Sequence, residues 1–225
     1  MSFLDAIGLT KKITRPRLDA FLARHGSDQK TLEIGCGNDQ YGKYFPNRTT
    51  LDIEKRQGVQ VDIVADAHDL HQIADASFEV ILCTEVLEHL HTPHRAIAEF
   101  LRILKPGGLL LLSTRFIFPL HDVPGDFYRY TKYGLRHLLR DFEIIELQEE
   151  ANTIETLAVL YQRIGFQTTT LGLRPLKLLW FMKARIVMLF SWILTREFGD
   201  IRHDKEDRSI LCSGYYIAAR KRFSA

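Results

Sequence analysis

The feature that most constrains this chain is a glycine-containing turn directly after a short apolar run. Residues 31–37 read TLEIGCG, and glycines at positions 35 and 37 let the backbone turn sharply without a Cβ in the path of a ligand. Asp52 ends the next apolar run, TTLD. A carboxylate at the tip of a neighbouring parallel strand points into the crevice where doubly wound sheets bind nucleosides, so Asp52 suits two ribose hydroxyls. The pattern predicts a nucleoside site.

The same turn favours one cofactor over another. A dinucleotide fingerprint has a third glycine three residues after Gly37, but this chain has Gln40 there and Asp39 beside it. An acid in the turn repels a pyrophosphate, whereas a cofactor with an amino group and a sulfonium tolerates it. The sequence therefore favours S-adenosylmethionine over NAD, and an NAD-dependent oxidoreductase remains the alternative.

Composition excludes several classes of protein. With 225 residues, 46% hydrophobic and 26% charged, the chain is expected to form one main globular domain. Three cysteines fit neither a disulfide framework nor a paired metal-ligand spacing, which favours a reducing compartment. The N-terminus has an early acid and too short an apolar run for a secretory signal, so a cytoplasmic location is expected.

Charge is unevenly distributed along the chain. Residues 156–196 contain six Lys or Arg and no Asp or Glu, which leaves 24 basic and 28 acidic residues elsewhere. No basic stripe appears outside that apolar segment, so nucleic acid is not expected as a substrate or partner. The chain is a mildly acidic body with a basic, apolar insertion near its end.

Several short segments are continuously apolar, so that strands formed from them would be apolar on both faces. Such strands indicate a parallel sheet buried between helices. Strands are predicted at 31–34, 49–53, 61–65, 79–84 and 109–114, with later strands at 142–148 and 211–221. An amphipathic helix is predicted at 93–104, with KPGG as its stop, and another from Thr131. This alternation predicts an α/β fold with a doubly wound, mostly parallel seven-stranded sheet and a helical insertion before the last strand. The expected segments are a helical N-terminal cover at 1–28, a core at 29–150, the insertion at 151–205 and the final core strand at 206–225.

Five segments in order, LEIGCG, LDIE, ADAHDL, SFEVILCTEVLEHL and RILKPGGLLLLST, resemble the class I S-adenosylmethionine-dependent methyltransferases of small-molecule type. The resemblance covers about residues 30–147 and implies a Rossmann-like fold and methyl transfer from the sulfonium. It implies that Glu33, Gly35 and Gly37 line the methionine moiety, that Asp52 with Ile53 holds the ribose, that Asp66 and Ala67 contact the adenine, and that Cys83 and Thr84 pass beneath the sulfonium. Residues 116–139 resemble a subset that acts on small or lipid-linked metabolites.

Methyl transfer is an in-line displacement, so alignment of the reacting atoms is the main task and no metal is required. An oxygen or nitrogen acceptor that carries a proton must lose it, and the loop after the fifth strand lies where a base would sit. Its polar candidates are His121, Asp126, Tyr128 and Arg129. Each has a structural alternative: a loop histidine bonded to backbone, an Asp126–Arg129 ion pair, and aromatic packing. A cofactor-binding partner protein without catalysis also remains open.

Histidines at 89, 91 and 94 suggest a metal, but their spacing lacks an accompanying cysteine or carboxylate set, and no metal is expected. Glu88 and His89 are expected to border the cofactor or to cap the following helix. His68 and His71 are expected on a solvated rim.

The insertion contains an uncharged apolar run at 186–195. About 10 helical residues reach only about 15 Å, half the thickness of a bilayer core, so the run should not cross a membrane. On a helical wheel Arg174, Lys177, Arg185 and Arg196 share one side, as in an interfacial helix. The alternatives are a lid on the enzyme body, peripheral membrane or lipid-substrate contact through 171–196, and a dimer interface.

Overall fold

The computed structural model describes residues 8–37, 41–55, 57–173, 176–194 and 196–223. Its helices are α1 (Arg15–Arg24), α2 (Pro93–Ile103), α3 (Lys132–Leu138), α4 (Thr153–Gln167) and α5 (Lys177–Met188). Its strands are β1 (Thr31–Ile34), β2 (Arg48–Asp52), β3 (Ile63–Val64), β4 (Phe78–Thr84), β5 (Leu104–Arg115), β6 (Phe142–Glu149) and β7 (Gly214–Lys221). Short 3₁₀ turns cover Leu87–His89 and Thr170–Gly172.

The strands form one seven-stranded sheet in the order β3-β2-β1-β4-β5-β7-β6. The pairs β2–β3, β1–β2, β1–β4 and β4–β5 are parallel. The chain runs outward from β1 through β2 to β3 and then returns to the other side of β1 as β4. Such a reversal of strand order opens a crevice at the carboxyl ends of the two strands. The predicted fold class is confirmed.

Several predicted boundaries are wrong in detail. The third strand covers two residues instead of the five predicted. KPGG does not separate α2 from the fifth strand, because β5 begins at Leu104. Leu104 pairs with Phe78 and Leu109 pairs with Val80, so the intervening residues form a bulge in which Gly107 has a φ of +78°. The residues between β1 and β2 that the structure describes contain no helix.

The chain divides into two compact units. One contains the described residues of Met1–Leu18, Ile117–Pro119 and Glu149–Gly214, and the other those of Asp19–Phe116, Leu120–Gln148 and Tyr215–Ala225. In the larger unit, Phe21 of α1 stacks on Tyr216 of β7 with ring centroids 5.5 Å apart. In the smaller unit, α4 and α5 pack together, and the rings of Phe166 and Phe181 meet edge to face at 4.9 Å.

The prediction of one interfacial helix through 174–196 is wrong. Helix α5 ends at Met188, and Arg196 lies beyond it. Arg174, like Asp39 and Gln40 of the glycine turn, lies outside the described residues. Beyond the end of α5, the Trp192 indole Nε1 donates a hydrogen bond to the carbonyl of Leu189, one of the acceptors that a helix leaves without an internal donor. Among the described helices, none combines the length and the apolar character that a membrane span needs.

Candidate functional site

The register of the strands places the first predicted cofactor residues together at the carboxyl ends of β1, β2 and β4. Ile34, at the end of β1, is paired with Leu51 on β2 and with Cys83 on β4. The next residues along these strands are Gly35, Asp52 and Thr84, so they leave the sheet side by side. The amide of Gly35 donates to the carbonyl of Leu51 at 2.8 Å, which fixes the turn against β2. The resulting opening lies at the β1–β4 switch point.

The turn requires glycine for two independent reasons. Gly35 has a φ of +72°, a left-handed conformation that side chains disfavour. A Cβ at this position would also lie 2.3 Å from Cγ2 of Val86. Gly37 has a φ of +49°. At positions 35 and 37, therefore, no side chain separates the backbone from the opening.

Asp52 and Ile53 form a polar and an apolar surface next to each other. Asp52 is buried at the end of β2, and its Oδ1 accepts a hydrogen bond from the Ile53 amide at 2.8 Å. The Ile53 side chain is 66% exposed. An anion with a neighbouring apolar surface is what a nucleoside sugar and its base require.

Asp66 and Ala67 follow the short strand β3, next to β2. Asp66 Oδ1 accepts a hydrogen bond from the His68 amide at 2.9 Å and lies 2.5 Å from His68 Nδ1. Burial raises the pKa of Asp66, but these two hydrogen bonds outweigh it and the net pKa is lowered. Ala67 is buried. The prediction that His68 lies on a solvated rim is wrong, because His68 is buried and its Nε2 accepts from the Thr92 amide at 3.2 Å.

Glu33 and Cys83 are buried inside the sheet. Glu33 forms an ion pair with Arg48, with Oε2 2.7 Å from Nε. Burial raises the pKa of Glu33, and the attraction of Arg48 opposes that change. Burial also raises the pKa of the Cys83 thiol, with a further contribution from the charge of Glu88, so the thiol stays protonated at neutral pH. The role of Glu33 at the methionine moiety stays a prediction.

The loop between β5 and α3 holds a chain of polar contacts centred on Asp126. Both carboxylate oxygens of Asp126 accept from Arg129 Nη atoms at 2.6 Å. Asp126 Oδ2 also accepts the His121 amide at 3.0 Å and lies 3.4 Å from His121 Nδ1. The hydrogen bonds from Arg129 hold the pKa of Asp126 far below its usual range, against the effect of burial. Asp126 thus pairs with Arg129 and binds the backbone amide of His121 at the same time.

Tyr128 lies at the outer side of this loop. Its side chain is exposed, and its hydroxyl donates to the carbonyl of His91 at 3.2 Å. Its amide donates to the carbonyl of Glu88 at 3.1 Å, which ties the loop to the 3₁₀ turn after β4. The ring is 5.9 Å from that of Tyr130, so the aromatic-packing alternative also holds for this residue.

Glu88, expected to border the cofactor or to cap the following helix, is a fully buried acid. Its Oε2 accepts a hydrogen bond from Thr114 Oγ1 at 2.8 Å. Its Oε1 is 3.8 Å from His121 Nε2 and has no hydrogen-bond partner among the described residues. The expectation that Glu88 and His89 cap the next helix is wrong, because Thr92 is the N-cap residue of α2. An acid inside the apolar run VLEHL is the sequence signal that could have identified this position.

Comparisons with known proteins agree with this geometry. Residues 32–112 match the family described as "Methyltransferase domain". The chain is 31% identical over 96 residues to human thiol S-methyltransferase TMT1B, covering 35% of this chain and 39% of that protein. It is 32% identical over 115 residues to a ubiquinone biosynthesis O-methyltransferase of Xanthomonas oryzae, covering 44% of this chain and 48% of the relative. The matched regions thus span less than half the length of these relatives.

Solved structures show the same fold at low identity. The 1,6-didemethyltoxoflavin-N1-methyltransferase of Burkholderia thailandensis, solved with S-adenosylhomocysteine, superimposes with a TM-score of 0.55 at 17% identity, over 95% of this chain and 80% of the other. The [4+2]-cyclase SpnF superimposes with a TM-score of 0.57 at 19% identity, over 92% of this chain and 81% of the other. A cyclase on this fold illustrates that the fold alone does not define the reaction.

The fold is the Rossmann-like methyltransferase fold of these solved structures. Within it, the match to the methyltransferase domain runs from β1 into β5 and so covers the strands that border the opening.

Proposed function

We propose that this chain binds S-adenosylmethionine at the β1–β4 opening and transfers its methyl group to a small acceptor held beneath the loop between β5 and α3. The observation that carries the proposal is the alignment of the Gly35 turn and Asp52 at neighbouring strand ends. The family match over 32–112 supports it. The core, proposed at 29–150, contains both halves of this site.

The cofactor is proposed to lie across the carboxyl ends of the strands, with its adenine after β3, its ribose at β2 and its methionine moiety at the turn after β1. Asp52 accepts hydrogen bonds from the ribose hydroxyls, and the exposed Ile53 side chain packs on the base. Asp66 accepts from the exocyclic amine of adenine and the Ala67 backbone meets a ring nitrogen, which matches the donors and acceptors of the base. Glu33, Gly35 and Gly37 line the methionine moiety. Cys83 and Thr84 pass beneath the sulfonium.

The acceptor is proposed to approach from the side of the β5–α3 loop. Its oxygen or nitrogen forms a bond to the methyl carbon while the carbon–sulfur bond breaks, and that electron pair remains on sulfur to give the neutral thioether. The acceptor also loses a proton. His121 is the group we place at that proton, with the Asp126–Arg129 ion pair beside its ring and Tyr128 at the rim. The matched relatives carry names for sulfur and oxygen acceptors, which supports a small-molecule substrate.

Titration calorimetry with S-adenosylmethionine tests the cofactor assignment. Replacement of Asp52 by Asn should weaken binding by roughly 10- to 100-fold, because hydrogen bonds to a charged group are worth about 1.5–3 kcal/mol. Asp141→Asn is the matched control, since Asp141 is an exposed acid just before β6. An Asp52→Asn protein that binds as tightly as wild type would remove the ribose assignment. Tighter binding of NAD would instead favour the oxidoreductase, and binding without turnover on any acceptor would favour the partner protein.

A lipid surface is proposed as a further contact of residues 171–196. Among the residues of this stretch that the structure describes, ten large apolar side chains are exposed: Leu171, Leu173, Leu179, Met182, Ile186, Leu189, Phe190, Trp192, Ile193 and Leu194. Residues 156–196 carry six basic side chains and no acid. Exposed apolar side chains beside basic ones suit the boundary of an anionic membrane. A lipid-linked acceptor is the substrate that such a contact would accompany.

A further inference from the structure

We propose that Glu88, His89 and His121 form a binding site for a divalent transition metal at the acceptor side of the crevice. Each residue offers one ligand atom, and the three atoms lie within 4.8 Å of one another. Two imidazoles and one carboxylate are a donor set that zinc uses in catalytic sites, with a further position left open. The sequence suggests His89, His91 and His94 as one group without a carboxylate, whereas the fold brings His89 together with Glu88 and His121.

A buried oxygen atom points to a ligand at this place. Glu88 is fully buried, and Thr114 supplies a hydrogen bond to only one of its oxygens. The other, Oε1, has no donor among the residues that the structure describes. A buried carboxylate oxygen without a partner is costly, and a cation in this position would satisfy it.

His89 is oriented as a metal ligand is. Its Nδ1 lies 2.8 Å from the carbonyl of Gly125, and because a carbonyl only accepts, this nitrogen carries the proton. Its Nε2 therefore has the lone pair. Ligating histidines usually donate their second ring N–H to a carbonyl or a carboxylate in this way. The ring of His121 lies beside a carboxylate, with Nδ1 3.4 Å from Asp126 Oδ2, but Asp126 accepts its hydrogen bond from the His121 backbone amide.

The separation of the ligand atoms fits a metal better than a hydrogen bond. His121 Nε2 is 3.8 Å from Glu88 Oε1, which is too long for a hydrogen bond. Ligand atoms with bonds of about 2.0–2.1 Å to a tetrahedral zinc lie roughly 3.3 Å apart. The three atoms here lie within 4.8 Å of one another, so the side chains must move closer together to complete the site. The exposed Asp122 places its Oδ2 3.9 Å from His89 Nε2 and could serve as a fourth ligand.

A second group of the same composition, Asp66, His68 and His91, is a weaker candidate. Both ring nitrogens of His68 are engaged, Nδ1 with Asp66 at 2.5 Å and Nε2 with the Thr92 amide at 3.2 Å. No lone pair of His68 remains for a cation. This group therefore serves as an internal control for any test of the first.

The role of the metal rests on the proposed function, whereas its binding does not. A divalent cation bound by these three side chains would polarise an acceptor oxygen or nitrogen at the open position and make its proton easier to lose. With the metal bound, His121 would be a ligand instead of the base that the proposed function places there, and the proton would pass to solvent.

Metal titration of the full chain tests the inference. Protein stripped with a chelator is titrated with Zn²⁺ by calorimetry and with Co²⁺ by visible absorption, without S-adenosylmethionine. We expect one equivalent to bind, with cobalt bands typical of four or five ligands. His121→Ala and Glu88→Gln should each weaken binding at least 100-fold, while His71→Ala, an exposed histidine beside the second group, should leave it unchanged.

Three results would overturn the inference: no binding to wild type, equal binding to the His121→Ala variant, or a site that is lost only in His68→Ala. Because Glu88 is buried, circular dichroism checks folding, and His89→Ala is a second, less buried probe. Adenosylmethionine binding to the stripped protein is measured separately. If the cofactor binds and the metal does not, the metal site alone is wrong; the reverse result refutes only the proposed function.

Discussion

Gly35 has a left-handed backbone conformation and lies close to Val86. It follows β1 in the chain, and Val86 immediately precedes the 3₁₀ turn after β4. The need for glycine at position 35 could be predicted from the motif, because a strand that breaks into two glycines indicates a tight turn. Its contact with Val86 could not, since Val86 is 51 positions further along the chain. The same limit applies to Glu88, whose significance comes from Thr114 and His121 on other segments.

Replacement of Gly35 by Ala should lower both stability and affinity for S-adenosylmethionine. The left-handed conformation costs an alanine about 1–2 kcal/mol, and the overlap with Val86 must in addition displace the backbone of the turn. We expect at least a tenfold weaker affinity in calorimetry. Gly58→Ala is the matched control, because Gly58 has a φ of +77° and nothing within 4 Å of its Cβ position. Equal effects of the two substitutions would show that the close approach is unimportant.

At the level of elements, the strongly patterned segments were predicted well. Helix α2 was expected at 93–104 and covers Pro93–Ile103, because its apolar residues recur at helical spacing. The apolar run 186–195 and the helical wheel of its basic residues predict that α5 continues, but the helix ends at Met188. The residues after it make a local bond, from Trp192 to the Leu189 carbonyl, and a long-range one, from Asn152 to the carbonyl of Ser191 at 3.4 Å. Periodicity along one segment carries no information about such contacts.

The start of α4 supports a prediction about pH. Asn152 and Glu155 form a capping box, each side chain accepting the other's amide at 2.9 Å, and Arg17 binds both oxygens of Glu155. Burial raises the pKa of Glu155, but the hydrogen bonds from Arg17 and Asn152 outweigh it, and the net pKa is lowered from 4.5. The charged form is thus favoured in the folded state, so its stabilising effect is present at neutral pH and is lost as the pH falls through the folded pKa.

Glu155→Gln should therefore reduce the free energy of unfolding by about 1–2 kcal/mol at pH 7, as loss of a helix cap does. The difference from wild type should shrink as the pH is lowered below 4.5. Urea denaturation at several pH values measures this. Glu143→Gln, at an exposed acid of β6, should have little effect at any pH. A difference for Glu155→Gln that stays constant from pH 7 into the acid range would contradict the assignment.

At the scale of the whole molecule, residues 171–196 expose many large apolar side chains. The apolar, basic composition of that stretch already indicates such a surface. We therefore expect the protein to sediment with vesicles that contain phosphatidylglycerol and much less with vesicles of phosphatidylcholine alone. Added salt should weaken the binding, because it screens the basic residues.

The double variant Leu189→Ser and Trp192→Ser should lower vesicle binding at least tenfold, since burial of each side chain contributes about 1.5–3 kcal/mol. Ile201→Ser is the matched control, an apolar residue of the same unit that is 99% exposed but outside the stretch. Absence of vesicle binding would refute the lipid contact. A dimer in light scattering that the double variant dissociates would identify the surface as a subunit interface instead.

The return of the chain from β3 to β4 across β1 has a consequence for how the protein acquires its activity. Leu32 and its neighbour Ile81 are 49 positions apart, and a contact of that sequence separation forms slowly because a long loop must close first. The cofactor opening therefore comes into existence only when the central pair of strands has joined. A nascent or truncated chain that ends before β4 should contain the glycine motif and the ribose acid and still have no affinity for the cofactor.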